Sequence, residues 1–270
     1  MAVDSARAEE ELMDLLSIGG LLLGIVAVVG GAYLEHLPPS AIYAPTAFLI
    51  VMGGTVGAIL VGFPLADVKR AATEGMRLVF KNIDTDYRPL IEEIVKVATV
   101  ARKEGVLAIE GMRNSIVDEK FKKSLKFVID GFEPKTVVEI LEADSYFEFE
   151  ETETAGKLIE GMGGYSPTVG IIGAVLGLIH VMRNLSNPDA IGPGIAVAFV
   201  ATVYGVGFAN LIFMPMGTKI KRKAAIIQQR NELIKVGVQG IQEGLNPHFL
   251  KEKLEVFLDH KYRTHEEGKH

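Results

Sequence analysis

The chain has 270 residues, 49% of them apolar, with no Cys and no Trp. Its formal net charge is −6 and its mean hydropathy is +0.27. The absence of Cys excludes a disulfide framework, a thiolate metal site and a cysteine nucleophile, and the acidic balance gives no bulk attraction for nucleic acid.

The first apolar run covers about 15–34, LLSIGGLLLGIVAVVGGAYL. Its leading segment, MAVDSARAEEELMD, is acidic, whereas a cleavable signal starts basic, so the run reads as a retained first span. A second run covers about 41–63, a third 165–182 and a fourth 190–217. None contains Asp, Glu, Lys or Arg, except that the 190–217 run is preceded directly by Asp189, and His180 is their one group that titrates near neutral pH. Crossing the hydrocarbon core takes about 20 apolar residues in a helix. A soluble helix this long carries charge on at least one face. The sequence therefore predicts an all-α polytopic membrane protein with four transmembrane helices.

The connections set the topology. Spans one and two are joined by EHLPPS, and spans three and four by RNLSNPD. Between them lies a long loop, 64–164, and after them a tail, 218–270. The loop holds 15 of the 28 Lys and Arg and the tail 11. The positive-inside rule places both in the cytoplasm, with both termini. The division is 1–63 (acidic N-terminus and spans one and two), 64–164 (cytoplasmic helical domain), 165–217 (spans three and four) and 218–270 (cytoplasmic helical tail).

Helical periodicity runs through the cytoplasmic parts. PLIEEIVKVATVARKEG places Ile91, Ile94, Val95 and Ala98 on one face, and Gly105 stands at the C-terminal cap position after Arg102 and Lys103. VLAIEGM begins a next helix. Phe121, Leu125 and Val128 repeat at helical spacing in a third. A fourth, from EPKTVVEIL onward, leads straight into span three. KIKRKAAIIQQRNELIKVGVQGIQEG forms a long helix after span four, and NPHFLKEKLEVFL a short one capped by Asn246 and Pro247. No strand pattern stands out.

Small residues recur within the spans. Gly20 and Gly24, Gly53 and Gly57, and Gly173 and Gly177 each stand four apart, which lets helix backbones approach in lipid. Intramembrane packing accounts for any single pair; together they point to a tightly packed oligomer. No intramembrane carboxylate is present, although ion pathways usually need one. Hydroxyls and helix breakers do lie at that depth: Thr55, Thr168, Thr202, Tyr204, Pro167 and Pro215. A Thr in a span ordinarily bonds back to its own helix. If ions cross, a second chain supplies the titrating carboxylate. No P-loop, nucleophile elbow or metal-ligand spacing appears, so the residues indicate no enzyme and no cofactor. GVGFAN lies in an apolar span and lacks the βαβ context of a dinucleotide fingerprint.

The order of motifs resembles the MotA family of flagellar stator proteins. APTAFLIVMGGTVGAIL resembles the second span with its Gly53–Gly54 pair. YSPTVGIIGAVLGLIHVM resembles the third, headed by a functional proline at Pro167. VAFVATVYGVGFANLIFMPM resembles the fourth, with its hydroxyl at Thr202, then Tyr204, and a cytoplasmic-end proline at Pro215. The tail motif departs from the family pattern, with His248 where Arg usually follows Asn-Pro.

The resemblance implies a homo-oligomeric, pentameric ring in the bacterial inner membrane, around a MotB-like partner that supplies the Asp. Ion flow there drives a FliG-like rotor protein. Sodium-type relatives carry Thr seven residues after the third-span proline, where this chain has Ala174, so the transported ion implied is H+ rather than Na+. Arg102 and Glu110 correspond to charges that meet the rotor; from their own ten residues they read as a solvated surface. The alternatives are an envelope energiser of the TolQ/ExbB kind, which has three spans rather than four, and a non-conducting membrane scaffold.

Overall fold

The computed structural model describes residues 14–186 and 188–258. The acidic segment before Asp14 and the tail beyond Leu258 lie outside the described residues. In chain order the helices are α1 (Leu15–Leu34), α2 (Pro39–Ile42), α3 (Pro45–Gly62), α4 (Leu65–Arg70), α5 (Met76–Phe80), α6 (Arg88–Glu104), α7 (Ile109–Met112), α8 (Glu119–Ile129), α9 (Pro134–Arg183), α10 (Pro188–Phe208), α11 (Met214–Gln242) and α12 (Pro247–Glu255). Among the described residues there is no β-strand. Among the described residues, four helices are long and apolar enough to cross a membrane. The chain divides into two compact units.

The first unit comprises the described residues of 11–82 with 151–223. Asp14 caps α1, its carboxylate accepting from the Ser17 N–H at 3.1 Å. No residue of α1 is buried within the chain. By contrast, α3 buries Ala47, Val51, Thr55 and Ile59, a single stripe four residues apart. Ala47 and Val51 pack with Val200 and Ala201 of α10.

Two π-helical turns interrupt this unit. Ala71–Gly75 joins α4 to α5, and Ala209–Phe213 joins α10 to α11. The second turn has a clear cause. Pro215 has no N–H for the carbonyl of Leu211 and its ring would clash with that carbonyl in an unbroken α-helix; the wider π register absorbs both. The stretch 65–80, not singled out in the sequence, is helical throughout. It packs Ala71 and Val79 against Ala155, Leu158, Ile159 and Ile220.

Helix α9 runs 50 residues without a break, about 75 Å, with Pro167 in its interior. Along it Gly156, Gly163, Gly170 and Gly177 stand seven residues apart. Each meets α10 or α11 at close range. A Cβ at Gly156 would lie 2.6 Å from Lys221 Cγ, at Gly163 2.7 Å from Met214 Cγ, at Gly170 2.8 Å from the Ala201 carbonyl oxygen and at Gly177 2.8 Å from Ala198 Cβ. A seven-residue repeat keeps one seam facing a partner helix that crosses at a shallow angle. Here both side chains and backbone of the partner helix fill the space a Cβ would take, with a backbone atom within 3.3 Å at each of the four glycines, the close approach that small residues permit.

A polar knot closes the N-terminal end of α1. The Lys219 ammonium contacts the Asp14 carboxylate and the Ser17 hydroxyl. Lys223, 5% exposed, donates to the carbonyls of Leu78 (2.8 Å), Val79 (3.1 Å) and Lys81, and lies 3.4 Å from Asp14. These are the carbonyls left without partners at the end of α5, so a buried cation serves as that helix's C-terminal cap. Burial pushes the Asp14 carboxyl up. The bonds from Lys219 and Ser17 and the charges of Lys219 and Lys223 outweigh it and hold the group below the ordinary carboxylate range.

The second unit comprises the described residues of 83–150 with 224–258. Its core joins one face of α6 (Leu90, Ile91, Ile94, Val97) to Phe121 and Leu125 of α8, Leu233 and Val238 of α11, and Leu250 and Leu254 of α12. Ile91, Ile94 and Ala98 of the face read from periodicity are buried, whereas Val97 takes the place in the core expected of Val95, which is only partly buried. The helix expected from VLAIEGM is instead α7, four residues between two 3₁₀ turns, Val106–Ala108 and Arg113–Ser115. Gly105 at φ 89° stops α6 and turns the chain. Ion pairs ring this core, among them Lys235–Glu142 at 2.8 Å and Arg230–Asp118. A partly exposed pair contributes about 0.2–1 kcal/mol. Full burial of Phe121 contributes about 2–3 kcal/mol, so apolar packing decides the stability of this unit.

Candidate ion pathway and charged docking surface

The seam of α9 and α10 brings several of the sequence-derived residues together. Gly173 and Gly177 face Ala201 and Ala198; a Cβ at Gly173 would sit 2.8 Å from Ala201 Cβ and 3.4 Å from Ile50 Cγ2. Gly54 meets Val169 at 2.6 Å by the same measure, so α3 also approaches α9. Gly53 behaves differently. A Cβ there meets nothing within 4 Å, and the same holds for Gly57 and Gly20. The four-apart pairs therefore divide, with Gly173 and Gly177 packed inside the chain and Gly53 and Gly57 turned away from it.

Pro167 lies directly on the seam, its Cα 3.2 Å from where a Cβ of Gly205 would stand. Ser166 beside it is fully buried, and its Oγ has no hydrogen-bond partner among the described residues. Pro167 also leaves the carbonyl of Gly163 without its helical N–H donor. Ser166 was absent from the residues singled out by sequence; its position before the proline was the available signal. Gly170 was likewise missed, although the seven-residue glycine repeat to which it belongs is visible in the sequence alone.

The hydroxyls differ in what they hold. Thr55 is buried and donates to the Val51 carbonyl at 2.6 Å. Thr168 donates to Tyr165 at 2.8 Å. Thr202 reaches back only weakly, to Ala198 at 3.4 Å. A bond that long contributes little, so the Thr202 hydroxyl is the freest of the three to engage another group. Ala174 is half-buried on α9 and offers no ligand. Tyr204 donates to the Ile42 carbonyl at 2.6 Å and accepts from the Ala44 N–H at 3.3 Å. Pro215 sits just beyond the π turn.

In the second unit Arg102 and Glu110 are exposed, and neither side chain makes a hydrogen bond or ion pair with another described residue. Gly105 separates them, so the two charges do not neutralise one another. Among the described residues no cluster of His, Asp or Glu has the geometry of a metal site.

The chain is similar to known proteins over most of its length. Residues 112–232 match the model of the MotA/TolQ/ExbB proton channel family. Motility protein A of Bacillus subtilis is 33% identical over 253 residues, covering 93% of each chain. Motility protein A of Helicobacter pylori is 37% identical over 243 residues, covering 90% of this chain and 94% of the relative. Among solved structures, the flagellar MotAB stator complex from Bacillus subtilis superposes with a TM-score of 0.84 at 31% identity, covering 93% of this chain and 98% of that one. The chain, a multi-pass membrane protein, therefore belongs to the MotA/TolQ/ExbB proton channel family, on its Motility protein A branch.

Proposed function

We propose that this chain is the ring-forming stator subunit of a bacterial flagellar motor, converting proton influx into torque on the rotor. Copies of the chain surround a MotB-like partner in the cytoplasmic membrane, as a pentamer by the family's pattern. Residues 64–164 and 218–270 and both termini face the cytoplasm, following the Lys and Arg asymmetry.

The observation that carries the reading is a mismatch within the spans. They are built for close packing around hydroxyls and helix breakers, yet contain no carboxylate to bind and release a proton. The partner's Asp fills that role. Pro167 and Thr202 line the path on either side of the seam, Tyr204 and Pro215 set the height and direction of the fourth span, and Ala174 leaves the path without the extra oxygen that a dehydrated hard cation favours. Arg102 and Glu110, unpaired and exposed, steer docking of a FliG-like rotor protein whose surface carries the opposite charges.

The test is complementation of a stator-deficient, non-motile strain with this chain and its cognate partner. Swimming is expected on soft agar. Continued paralysis despite normal membrane levels of both chains contradicts the proposal.

A further inference from the structure

A cleft of ≈ 350 Å³ opens between α1 and the turn that joins α10 to α11. Leu16 and Leu21 form one wall, Phe80 the floor, and Leu211 and Met216 the other wall. Gly20 widens it, since a Cβ there meets nothing within 4 Å; at Gly24 a Cβ would stand 3.4 Å from Leu211 Cδ2. Ser17 and Lys219 line its cationic end, and the one other polar side chain of the lining, Asn210, donates to the Val206 carbonyl of its own helix. Among the described residues, one carboxylate at that end, Asp14, faces two ammonium groups, Lys219 and Lys223, so one positive charge is left over there.

Apolar length and a cationic end describe the complement of an amphiphile. In lipid such a cleft is filled by an acyl chain, and basic pockets between spans on the cytoplasmic side take anionic headgroups. We propose that the cleft is a binding site for one anionic phospholipid of the cytoplasmic leaflet. Its phosphate sits on Lys219, and one acyl chain lies along Gly20, Leu21 and Gly24 against Leu211. A zwitterionic lipid fills the same space but leaves the surplus charge uncompensated. The inference uses the membrane placement and orientation of the chain, not the torque reading.

The experiment uses the assembled complex in nanodiscs of equal parts phosphatidylglycerol and phosphatidylcholine, with retained lipid identified by native mass spectrometry. Phosphatidylglycerol should be retained over phosphatidylcholine by about fivefold, the effect of one cation near the membrane surface. Lys219→Gln should bring the ratio to about one. Because that change also loosens the knot, Asp14→Asn is the control of opposite sign: it frees both ammonium groups and should raise the ratio. Gly24→Leu should expel both lipids with the assembly intact. Equal retention of the two lipids by the unaltered complex overturns the proposal. So does an unchanged ratio in Lys219→Gln, a fall in phosphatidylglycerol with Asp14→Asn, or cross-linking of Leu21→Cys to a second copy of the chain in place of lipid.

Discussion

The phenolic hydroxyl of Tyr204 is bonded to the carbonyl of Ile42 at 2.6 Å, linking the fourth span to the entry of the second across 162 residues of sequence. The same oxygen accepts from Ala44, and the ring packs against Phe48 and Phe208 at centroid distances of 6.3 and 5.7 Å. Both the donor and an acceptor position of the hydroxyl are thus in use, and Tyr204 acts as a clamp on the relative height of the two spans. Tyr204→Phe keeps the ring and removes the clamp. It should lower stability by about 1–2 kcal/mol, read as a lower midpoint of thermal aggregation in detergent. An unchanged midpoint would show that the bond does not hold the spans.

The seam offers a sharper contrast. A Cβ at Gly205 would stand 2.7 Å from the Ser166 carbonyl oxygen and 3.1 Å from Gly170 Cα. Backbone cannot yield as a side chain can, so Gly205→Ala should force α9 and α10 apart at a cost of about 1–3 kcal/mol. Gly53→Ala meets nothing within the chain and should leave its fold intact. Size-exclusion profiles and membrane levels of the two variants report the difference; equal behaviour would argue against the seam as drawn.

The Asp14 knot predicts a pH dependence. The folded-state pKa of Asp14 is depressed, so its contribution is present above the unfolded carboxyl value and is lost as pH falls through the folded one. Asp14→Asn should lower the unfolding temperature by a constant margin near neutrality. That margin should shrink below about pH 4. A margin that widens on acidification would reverse the assigned sign.

Arg102 and Glu110 face solvent without partners, so changing either should leave folding untouched. Arg102→Glu should reduce swimming strongly, more at low than at high salt, and a compensating charge reversal on the rotor should restore it. Normal swimming of Arg102→Glu at both salt concentrations would return the segment to an ordinary solvated turn.

Much of this structure is legible in the sequence because the membrane imposes long, uniform signals. The first span begins at Leu15 and ends at Leu34 as the apolar run does, and Gly105 ends α6 where cap chemistry places it. What escaped is local and depends on tertiary contact. In residues 65–80 the apolar positions Leu65, Val68, Ala71 and Val79 do recur at helical spacing, but their packing against Ile220 and Ala155 from distant parts of the chain shows only in the fold. The π turn before Pro215 has no composition of its own. VLAIEGM carries helix-forming residues, but burial of Ile109 beside the φ 89° turn at Gly105 breaks it into short pieces. Among site residues, Pro167, Thr202 and the Gly173–Gly177 pair stand out by type. Ser166 does not stand out by type; only its place before Pro167 marks it, and that says nothing of its burial without a partner.

The most direct test of the central claim is the rotation of tethered cells from a stator-deficient strain while this chain and its cognate partner are induced in sodium-free medium. Rotation should return and quicken in discrete, equal steps as successive units engage, and Thr202→Val, at equal membrane levels and with assembly intact, should give none. Cells that stay paralysed with both chains correctly assembled, or that rotate only when sodium is added, would contradict a proton-driven stator.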